Sequence, residues 1–268
     1  MTVLLIYKTY KPNSYLSSLV KFYWQFELNS DLQTVYTERV IPSGELQLIF
    51  HYRTPFKEIS KHSQRLIQPQ CLICGQQTEY KDVMTAPGSV GMLAVVFYPC
   101  AFRAFFPNPV NEFTNQSIAL DNILPVEIKA LQERIIEANG VYARILLIEN
   151  FLLRRLSIPN DFSLAQEAVN IIAGENGQIA VNEVASKLDI SKRQLERTFL
   201  RNVGISPKKF GRIVRLNTSI KHFERATSLT TLTYEAGYFD PSHLIRDFRE
   251  FTGLSPKAFF RHPCQIPQ

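Results

Sequence analysis

Two segments in the last third of the chain decide its fold: residues 190–210 read ISKRQLERTFLRNVGISPKKF, and residues 239–259 read FDPSHLIRDFREFTGLSPKAF. They agree at eight positions, always at an offset of 49 residues. Chance does not produce so many matches in one order, so the segments form an internal repeat. The matching positions are Leu195, Arg197, Phe199, Gly204, Ser206, Pro207, Lys208 and Phe210, with Leu244, Arg246, Phe248, Gly253, Ser255, Pro256, Lys257 and Phe259 in the second copy.

The first copy has the cap and turn residues of two helices joined by a tight turn. Residues 181–188 read as a short helix, and Asp189 stands where the chain must turn, because Asp tolerates the left-handed conformation. Ser191 is a helix N-cap, and Gln194 three residues later completes a capping box. Gly204 then ends the second helix. The segment therefore predicts a helix-turn-helix unit.

The second copy repeats this pattern with other residues. Gly237 occupies the turn, Asp240 caps the next helix, Pro241 fits its first position, and Gly253 ends it. In both copies, apolar residues four apart in the second helix face the core: Leu195 with Phe199, and Leu244 with Phe248. The outward-facing positions are then Lys192, Arg193, Glu196 and Arg197 in the first copy, and Ser242, His243, Ile245, Arg246 and Arg249 in the second.

Positive charge is concentrated in the same region. The chain carries a net charge of +6, and residues 187–261 hold 15 Lys and Arg against 7 Asp and Glu, a local excess of +8. The second helix of such a unit lies in the major groove of DNA, where arginine bonds guanine and Ser or His reach bases. The outward-facing residues of the second helix in each copy are therefore placed to meet base edges.

A further helix begins near the C-terminal end of each repeated segment. Ser206-Pro207 and Ser255-Pro256 each supply a cap and a first-position proline, and helix N-termini bind phosphate oxygens. The helix from Pro207 to about Ala226, roughly 30 Å long, joins the two copies and suits successive major grooves ~34 Å apart. Phosphate contacts are expected from Ser191, Ser206, Lys208, Lys209, Arg212, Ser255 and Lys257.

About the last 100 positions resemble the DNA-binding domain of bacterial AraC/XylS-type transcriptional regulators. The likeness is densest from Gly237 to Leu244 (GYFDPSHL) and continues through Arg246–Phe248 and Gly253–Pro256. The resemblance implies seven helices, two helix-turn-helix units and binding to double-stranded promoter DNA. It also implies the positions expected to read bases: Lys192, Arg193, Glu196, Arg197, Ser242, His243 and Arg246. We expect RNA polymerase as a further partner. Two residues depart from the pattern: Thr233 stands where the family usually has alanine, and Asp189 where a turn glycine is common.

The first ~115 residues read mainly as strands separated by Pro and Gly, which is typical of a small β-sandwich or barrel. Residues 45–50 alternate like a half-buried strand, and residues 90–98 like a fully buried one. The stretches Arg39–His51 and Phe97–Pro109 resemble an uncharacterised subgroup of cupin-like sensor domains in the same family. Such domains bind a small effector, dimerise, or do both; the resemblance leaves these alternatives open.

Residues 126–138 and 141–156 read as helices, and the second is apolar on more than one face, which predicts packing on its own domain and on a second subunit. Residues 157–163 read as a linker. The sequence thus predicts a two-domain α+β protein. Residues 1–156 are expected to form a cupin-like β-rich sensor or dimerisation domain with trailing helices, and residues 162–268 an all-α domain with two helix-turn-helix units.

Composition excludes several other classes of protein. With 45% hydrophobic residues the chain is expected to fold. The longest apolar run, Val90–Phe102, is too short for a membrane span and is interrupted by Gly91 and Pro99. The start lacks the pattern of a signal peptide, and four cysteines are too few for a disulfide scaffold. We therefore expect a cytoplasmic protein with no membrane partner.

The sequence predicts no enzyme, cofactor or metal site. Cys71 and Cys74 have CxxC spacing, but structural zinc needs four ligands, and Cys100 and Cys264 are distant in sequence. We read the pair as small hydrophobic residues of a buried strand. His51 lacks the HxH partner and the further ligands that a cupin metal site needs.

The favoured interpretation is a sequence-specific transcription regulator whose recognition helices, at about 191–203 and 240–252, enter successive major grooves. Whether an effector controls it is left open by the sequence. One alternative is an enzyme or metal-dependent protein carried on a DNA-binding module, which the missing catalytic constellation disfavours. Another is a non-specific architectural DNA binder. The different outward faces of the two helices favour sequence reading instead.

Overall fold

Ten strands are followed by nine α-helices in the computed structural model, which describes residues 4–29, 35–85, 88–223 and 229–261. The strands are β1 (Leu4–Tyr10), β2 (Val20–Asn29), β3 (Thr37–Val40), β4 (Gln47–His51), β5 (Lys57–Ser60), β6 (Arg65–Ile67), β7 (Cys71–Cys74), β8 (Lys81–Met84), β9 (Ser89–Phe97) and β10 (Ser117–Ala119). The helices are α1 (Pro125–Glu137), α2 (Val141–Arg155), α3 (Phe162–Gly174), α4 (Val181–Lys187), α5 (Lys192–Val203), α6 (Pro207–His222), α7 (Leu229–Glu235), α8 (Pro241–Thr252) and α9 (Pro256–Phe259).

The strands form two antiparallel sheets, as the sequence predicts for a sandwich. The larger sheet has the order β1-β2-β9-β4-β7-β10, and the smaller one β3-β8-β5-β6. Three short 3₁₀ helices (Ala101–Ala104, Val110–Phe113 and Leu120–Asn122) connect this part to the helices. The chain is therefore a β-rich N-terminal domain followed by a helical C-terminal domain.

Strand β4 of the larger sheet is buried on both faces, which corrects one expectation. Leu48 and Phe50 of β4 pack into the core on the helical side, while Ile49 packs into the space between the two sheets. The alternation of residues 45–50 was expected to mark one wet face. That interpretation was wrong because helices cover one face of this sheet and the second sheet covers the other.

One apolar cluster runs through both domains. It includes Phe102 and Phe106 after the last long strand, Ile148 of α2, and Phe199 and Phe248 of the repeated units. The residues of α2 that turn inward are buried, whereas Leu146 on its outer face is 59% exposed. The N-terminal domain is thus packed directly onto the helical one.

The helical domain contains seven α-helices among its described residues, α3 to α9, the number that the family resemblance implies. The helix that joins the two repeated units is shorter than expected, because α6 ends at His222 rather than near Ala226. Its 16 residues make a rod of about 24 Å. Residues 224–228 lie outside the described part of the chain.

The cysteines and His51 are placed as packing residues. Cys71 and Cys74 lie on opposite faces of β7, one in the helix-side core and the other between the sheets. Burial raises the pKa of the Cys71 thiol to about 12. His51 is buried, its Nε2 lies 3.0 Å from Gln68 Oε1, and burial lowers its pKa to about 4. Cys264 lies outside the described residues.

Within the described ranges, no three His, Cys, Asp or Glu side chains come close enough together to hold a metal ion. The helices in those ranges also lack the combination of length and apolar character that spanning a bilayer requires.

Candidate nucleic-acid interface

The first helix-turn-helix unit is built from α4 and α5. Asp189 turns the chain with φ of +50°, and Ser191 caps α5 by accepting a hydrogen bond from the Gln194 backbone N–H at 3.1 Å. Leu195 and Phe199 are fully buried, which fixes the orientation of α5. These local predictions are confirmed, and they turn the opposite side of α5 outward.

The outward side of α5 carries the residues that the sequence singled out. All of them are exposed, and none makes a hydrogen bond or ion pair with another described residue: Lys192, Arg193, Glu196 and Arg197. Because helix capping and the core need none of these side chains, they are available to an external partner. Among the described residues, no arginine forms an ion pair with Glu196.

The second unit is built from α7 and α8. Gly237 turns the chain with φ of +76°, and Asp240 Oδ1 accepts hydrogen bonds from the backbone N–H groups of Ser242 (2.7 Å) and His243 (3.0 Å). Leu244 and Phe248 are fully buried, like their counterparts in α5. The residues predicted to face outward are exposed or half-buried: Ser242, His243, Ile245, Arg246 and Arg249.

The predicted phosphate contacts divide into three groups. The hydroxyls of Ser191, Ser206 and Ser255 cap the helices that follow them. Lys208 and Lys257 are exposed and unpaired among the described residues. Lys209 and Arg212 instead point inward, toward carboxylates of α8.

The inward pair holds α8 against α6. Arg212 donates to Asp247 at 2.7 Å and also to Glu250, while Lys209 pairs with the same Glu250. Partial burial alone would raise the pKa of Glu250, but the hydrogen bonds from Arg212 and Lys209 outweigh it and bring the pKa to about 2. No pattern in the sequence indicated this network, since its paired residues lie 35 to 41 positions apart.

The end of α5 is docked on the N-terminal domain. The Thr114 hydroxyl donates to the Gly204 carbonyl at 2.7 Å, and a Cβ on Gly204 would lie 2.8 Å from Val110 Cγ1. Nearby, the buried Arg103 donates to Asn202 Oδ1 at 2.7 Å. The same guanidinium nitrogen bonds Asp161 in the linker at 2.8 Å.

The end of α8 is docked on the same domain at a different place. Arg39 donates to the Thr252 carbonyl at 3.2 Å and stacks over the Tyr80 ring at 4.4 Å. A Cβ on Gly253 would lie 2.7 Å from that ring. Arg39 is itself fixed by two hydrogen bonds to Asp82, at 2.8 and 3.0 Å.

A cavity of about 330 Å³ lies between the two sheets of the N-terminal domain. At one end Lys81 Nζ donates to Glu58 Oε2 (2.9 Å), Ser117 Oγ (2.9 Å) and Cys74 Sγ (3.4 Å). The two charges neutralise each other, and all three ammonium hydrogens have an acceptor. The other walls are mainly aromatic and apolar, among them Tyr7, Trp24, Phe26, Tyr36, Phe56 and Met92.

Strands β3 and β8 connect this cavity to the end of α8. Val40 and Val83 line the cavity, whereas the alternate residues Arg39, Tyr80 and Asp82 form the contact with Thr252 and Gly253. Neighbouring residues of a strand point to opposite faces. A shift of either strand would therefore change both the cavity and the contact with the end of α8.

Two family models match separate parts of the chain. Residues 184–262 match the family model described as "Helix-turn-helix domain", and residues 8–119 match "Domain of unknown function (DUF6597)". The chain is 23% identical over 206 residues to the lactose operon transcription activator of Staphylococcus xylosus, covering 70% of this chain and 72% of that one. It is 28% identical over 117 residues to the Msm operon regulatory protein of Streptococcus mutans, covering 42% of each chain. The second match thus spans less than half of that relative's length.

Among solved structures, ToxT from Vibrio cholerae O395 is similar with a TM-score of 0.48 and 10% identity, covering 91% of this chain and 99% of that one. A transcriptional regulator with an AraC-type DNA-binding domain from Chromobacterium violaceum has a TM-score of 0.34 and 23% identity, covering 37% of this chain and 93% of that one. Together with the duplicated units described above, the family match identifies residues 184–262 as a helix-turn-helix domain of the AraC/XylS type, and the chain is similar to operon transcription regulators.

Proposed function

We propose that the chain controls transcription by binding, not by catalysis, and that α5 and α8 read operator DNA in successive major grooves. The observation that carries this proposal is the exposure of both recognition faces. Arg197 of α5 and Arg246 of α8 occupy the same position in the repeat, are exposed, and have no partner among the described residues. A guanidinium that is not needed inside the domain can bond guanine O6 and N7.

The proposed contacts follow from this placement. Bases are read by Lys192, Arg193, Glu196, Arg197, Ser242, His243 and Arg246, and phosphates are held by Ser191, Ser206, Ser255, Lys208 and Lys257. Lys209 and Arg212 have a different role in this proposal. Because both are paired with carboxylates of α8, they orient that helix and do not meet the DNA backbone.

The N-terminal domain, with proposed bounds 1–156, would set the position of the recognition helices α5 and α8. Both helices belong to the C-terminal domain, with proposed bounds 162–268. In support, both recognition helices end on the N-terminal domain, at Gly204 and at Gly253. We propose that a small, uncharged and mainly apolar effector occupies the cavity between the sheets. In support, Lys81 and Glu58 pair with each other, and the remaining carboxylate of the lining, Glu38, accepts a hydrogen bond from the Tyr36 hydroxyl at 2.6 Å. Such a ligand would shift β3 or β8 and so change DNA affinity.

Further partners are proposed on chemical grounds. The relatives are named as an operon regulator and an operon activator, so a promoter, and with it cytoplasmic RNA polymerase, is the expected setting.

A homodimer through the outer face of α2 is supported by Tyr142 and Leu146, which are 75% and 59% exposed. Sedimentation of the wild type and of a Tyr142→Lys, Leu146→Lys double variant tests it: a wild-type monomer would contradict the dimer.

Selection from random DNA duplexes with the full chain tests DNA reading. The expected result is one consensus with two half-sites about one helical turn apart, and a DNase I footprint of ~20 base pairs on it. A uniform footprint with no consensus would favour the architectural alternative.

A thermal-shift screen tests the effector site. An uncharged aromatic probe such as indole is expected to raise the melting temperature of the wild type, whereas glucose and benzoate are not. Val83→Trp fills the cavity and should abolish the shift, while Val126→Trp, at a site 83% exposed, should leave it unchanged. An equal shift in both variants would place the probe elsewhere.

A further inference from the structure

Phe239 is the large apolar residue with the greatest exposure among those described, at 85%. It lies in the turn between α7 and α8, directly before the cap Asp240. The residues that the sequence predicts to contact DNA all have polar or charged side chains. Phe239 is not among them. Phe239 lies directly before the N-terminus of α8, where its apolar ring can make a contact that the polar candidates cannot.

The turn of the first unit has no equivalent of this residue. There the Asp189 N–H donates to the Ser186 carbonyl at 3.1 Å, and the Ile190 N–H to the Ala185 carbonyl at 3.1 Å. The cap Ser191 follows immediately. Ile190 itself packs against the core. Nothing apolar is therefore left over at the start of α5.

The turn of the second unit closes in the same way but is one residue longer. The Gly237 N–H donates to the Tyr234 carbonyl at 3.0 Å, and the Tyr238 N–H to the Thr233 carbonyl at 2.9 Å. One additional residue, Phe239, then precedes the cap. The offset between the two copies accordingly changes from 48 residues before the turn to 49 after it.

The core has no place for the additional ring. Tyr238 already fills the inward position, is 5% exposed, and donates a hydrogen bond to Asp247 Oδ2 at 3.2 Å. A phenyl ring left in water contributes nothing to folding, because its apolar surface stays hydrated. Contact with a macromolecular partner would bury this apolar surface.

DNA is the partner that the surroundings favour. The exposed neighbours on the first turns of α8 are Ser242, His243 and Arg246, within the third of the chain that carries the excess positive charge. The N-terminal residues of a recognition helix lie on base edges. In the major groove the apolar group that base edges offer is the C5-methyl of thymine.

We propose that Phe239 packs against a thymine methyl at the edge of the half-site read by α8, and that it is a specificity-determining residue of this regulator. The proposal rests on the proposed reading of DNA by α8. It assigns the second unit an apolar contact that the first unit, with its shorter turn, does not make.

Replacing thymine by deoxyuridine removes the methyl group and nothing else, so it tests the contact directly. In the selected duplex, each thymine is replaced in turn and the dissociation constant of the full chain is measured by fluorescence anisotropy. One replacement in the α8 half-site should weaken wild-type binding about fourfold, the effect of about one buried methyl. In Phe239→Ala the same replacement should have no effect.

Tyr15→Ala, at a site 79% exposed in the N-terminal domain, is the matched control and should keep the methyl effect. The proposal is overturned if Phe239→Ala binds all duplexes like the wild type, or if it weakens the thymine and deoxyuridine duplexes equally. Failure of the wild type to select any consensus would instead contradict the proposed function, so the two failures are distinct.

Discussion

Gly204 and Gly253 hold the same position in the two repeats, and both pack against the N-terminal domain, Gly204 on Val110 and Gly253 on Tyr80. Each ends a recognition helix in the left-handed conformation, with φ of +91° and +73°. Helices α6, α7 and α8 lie between the two glycines in sequence, and both glycines contact the N-terminal domain in space. That domain thus positions the ends of both recognition helices.

Substitution of Gly204 measures this docking. Gly204→Ala combines left-handed strain with a contact of 2.8 Å to Val110 Cγ1. We expect Gly204→Ala to lower the free energy of unfolding by roughly 1–3 kcal/mol more in the wild type than in a Val110→Ala background, in urea titrations. The second background removes the contact and keeps the backbone strain. Equal effects of Gly204→Ala in the two backgrounds would mean that the docked contact is absent in solution.

Arg246→Ala should weaken binding to the selected duplex by roughly 1–3 kcal/mol and relax the preference for one guanine. The reason is the loss of two hydrogen bonds to that base, with no internal pairing of Arg246 to disturb. Affinities for duplexes changed at each position provide the measurement. An equal loss on every sequence would show that Arg246 holds phosphate instead.

Two adjacent lysines are expected to behave differently. Lys208 is exposed and unpaired among the described residues, so Lys208→Ala should weaken all duplexes alike and reduce the slope of log affinity against log salt by about 1. Lys209 is paired with Glu250, so Lys209→Ala should leave that slope nearly unchanged. Identical slopes for the two variants would contradict the division of roles.

Two phenylalanines of the second unit provide a stability test. Phe248 is fully buried and Phe239 is 85% exposed. Phe248→Ala should lower the free energy of unfolding by about 3–5 kcal/mol, while Phe239→Ala should leave the melting temperature unchanged. An unchanged melting temperature for Phe248→Ala would refute its place in the core.

Acid should weaken the contact between α6 and α8. The pKa of Glu250 lies at about 2 in the folded chain against an ordinary 4.5, so its contribution to stability is complete above about 4.5 and is lost as the pH falls toward 2. The free energy of unfolding should therefore fall less steeply through this range in Glu250→Gln. A wild type and variant with parallel pH profiles would argue against the pairing with Arg212.

The features that the sequence predicted are those set by local rules. The caps at Ser191 and Asp240, the left-handed turn at Asp189 and the inward Leu244 each depend on residues within one or two turns of helix. The additional residue at Phe239 was also readable, in the change of offset between the copies, but it is visible only when the turns are aligned separately.

What the sequence did not predict depends on distant pairs. Arg39 and Thr252 are 213 residues apart, and Thr114 and Gly204 are 90 apart, so neither contact leaves a pattern in either segment. The inward turn of Arg212 is similar, because a basic residue beside a helix N-terminus looks the same whether phosphate or a carboxylate of another helix accepts its hydrogen bonds. These contacts decide how the readers are held.

Methylation interference on the selected duplex tests the two-groove reading most directly. Methylation of guanine N7 blocks major-groove contacts, so we expect two groups of interfering guanines about 10 base pairs apart on one face of the duplex. Arg197→Ala should remove guanines of one group, and Arg246→Ala guanines of the other. A single group of guanines, or the loss of the same guanines in both variants, would contradict reading by two separate helices.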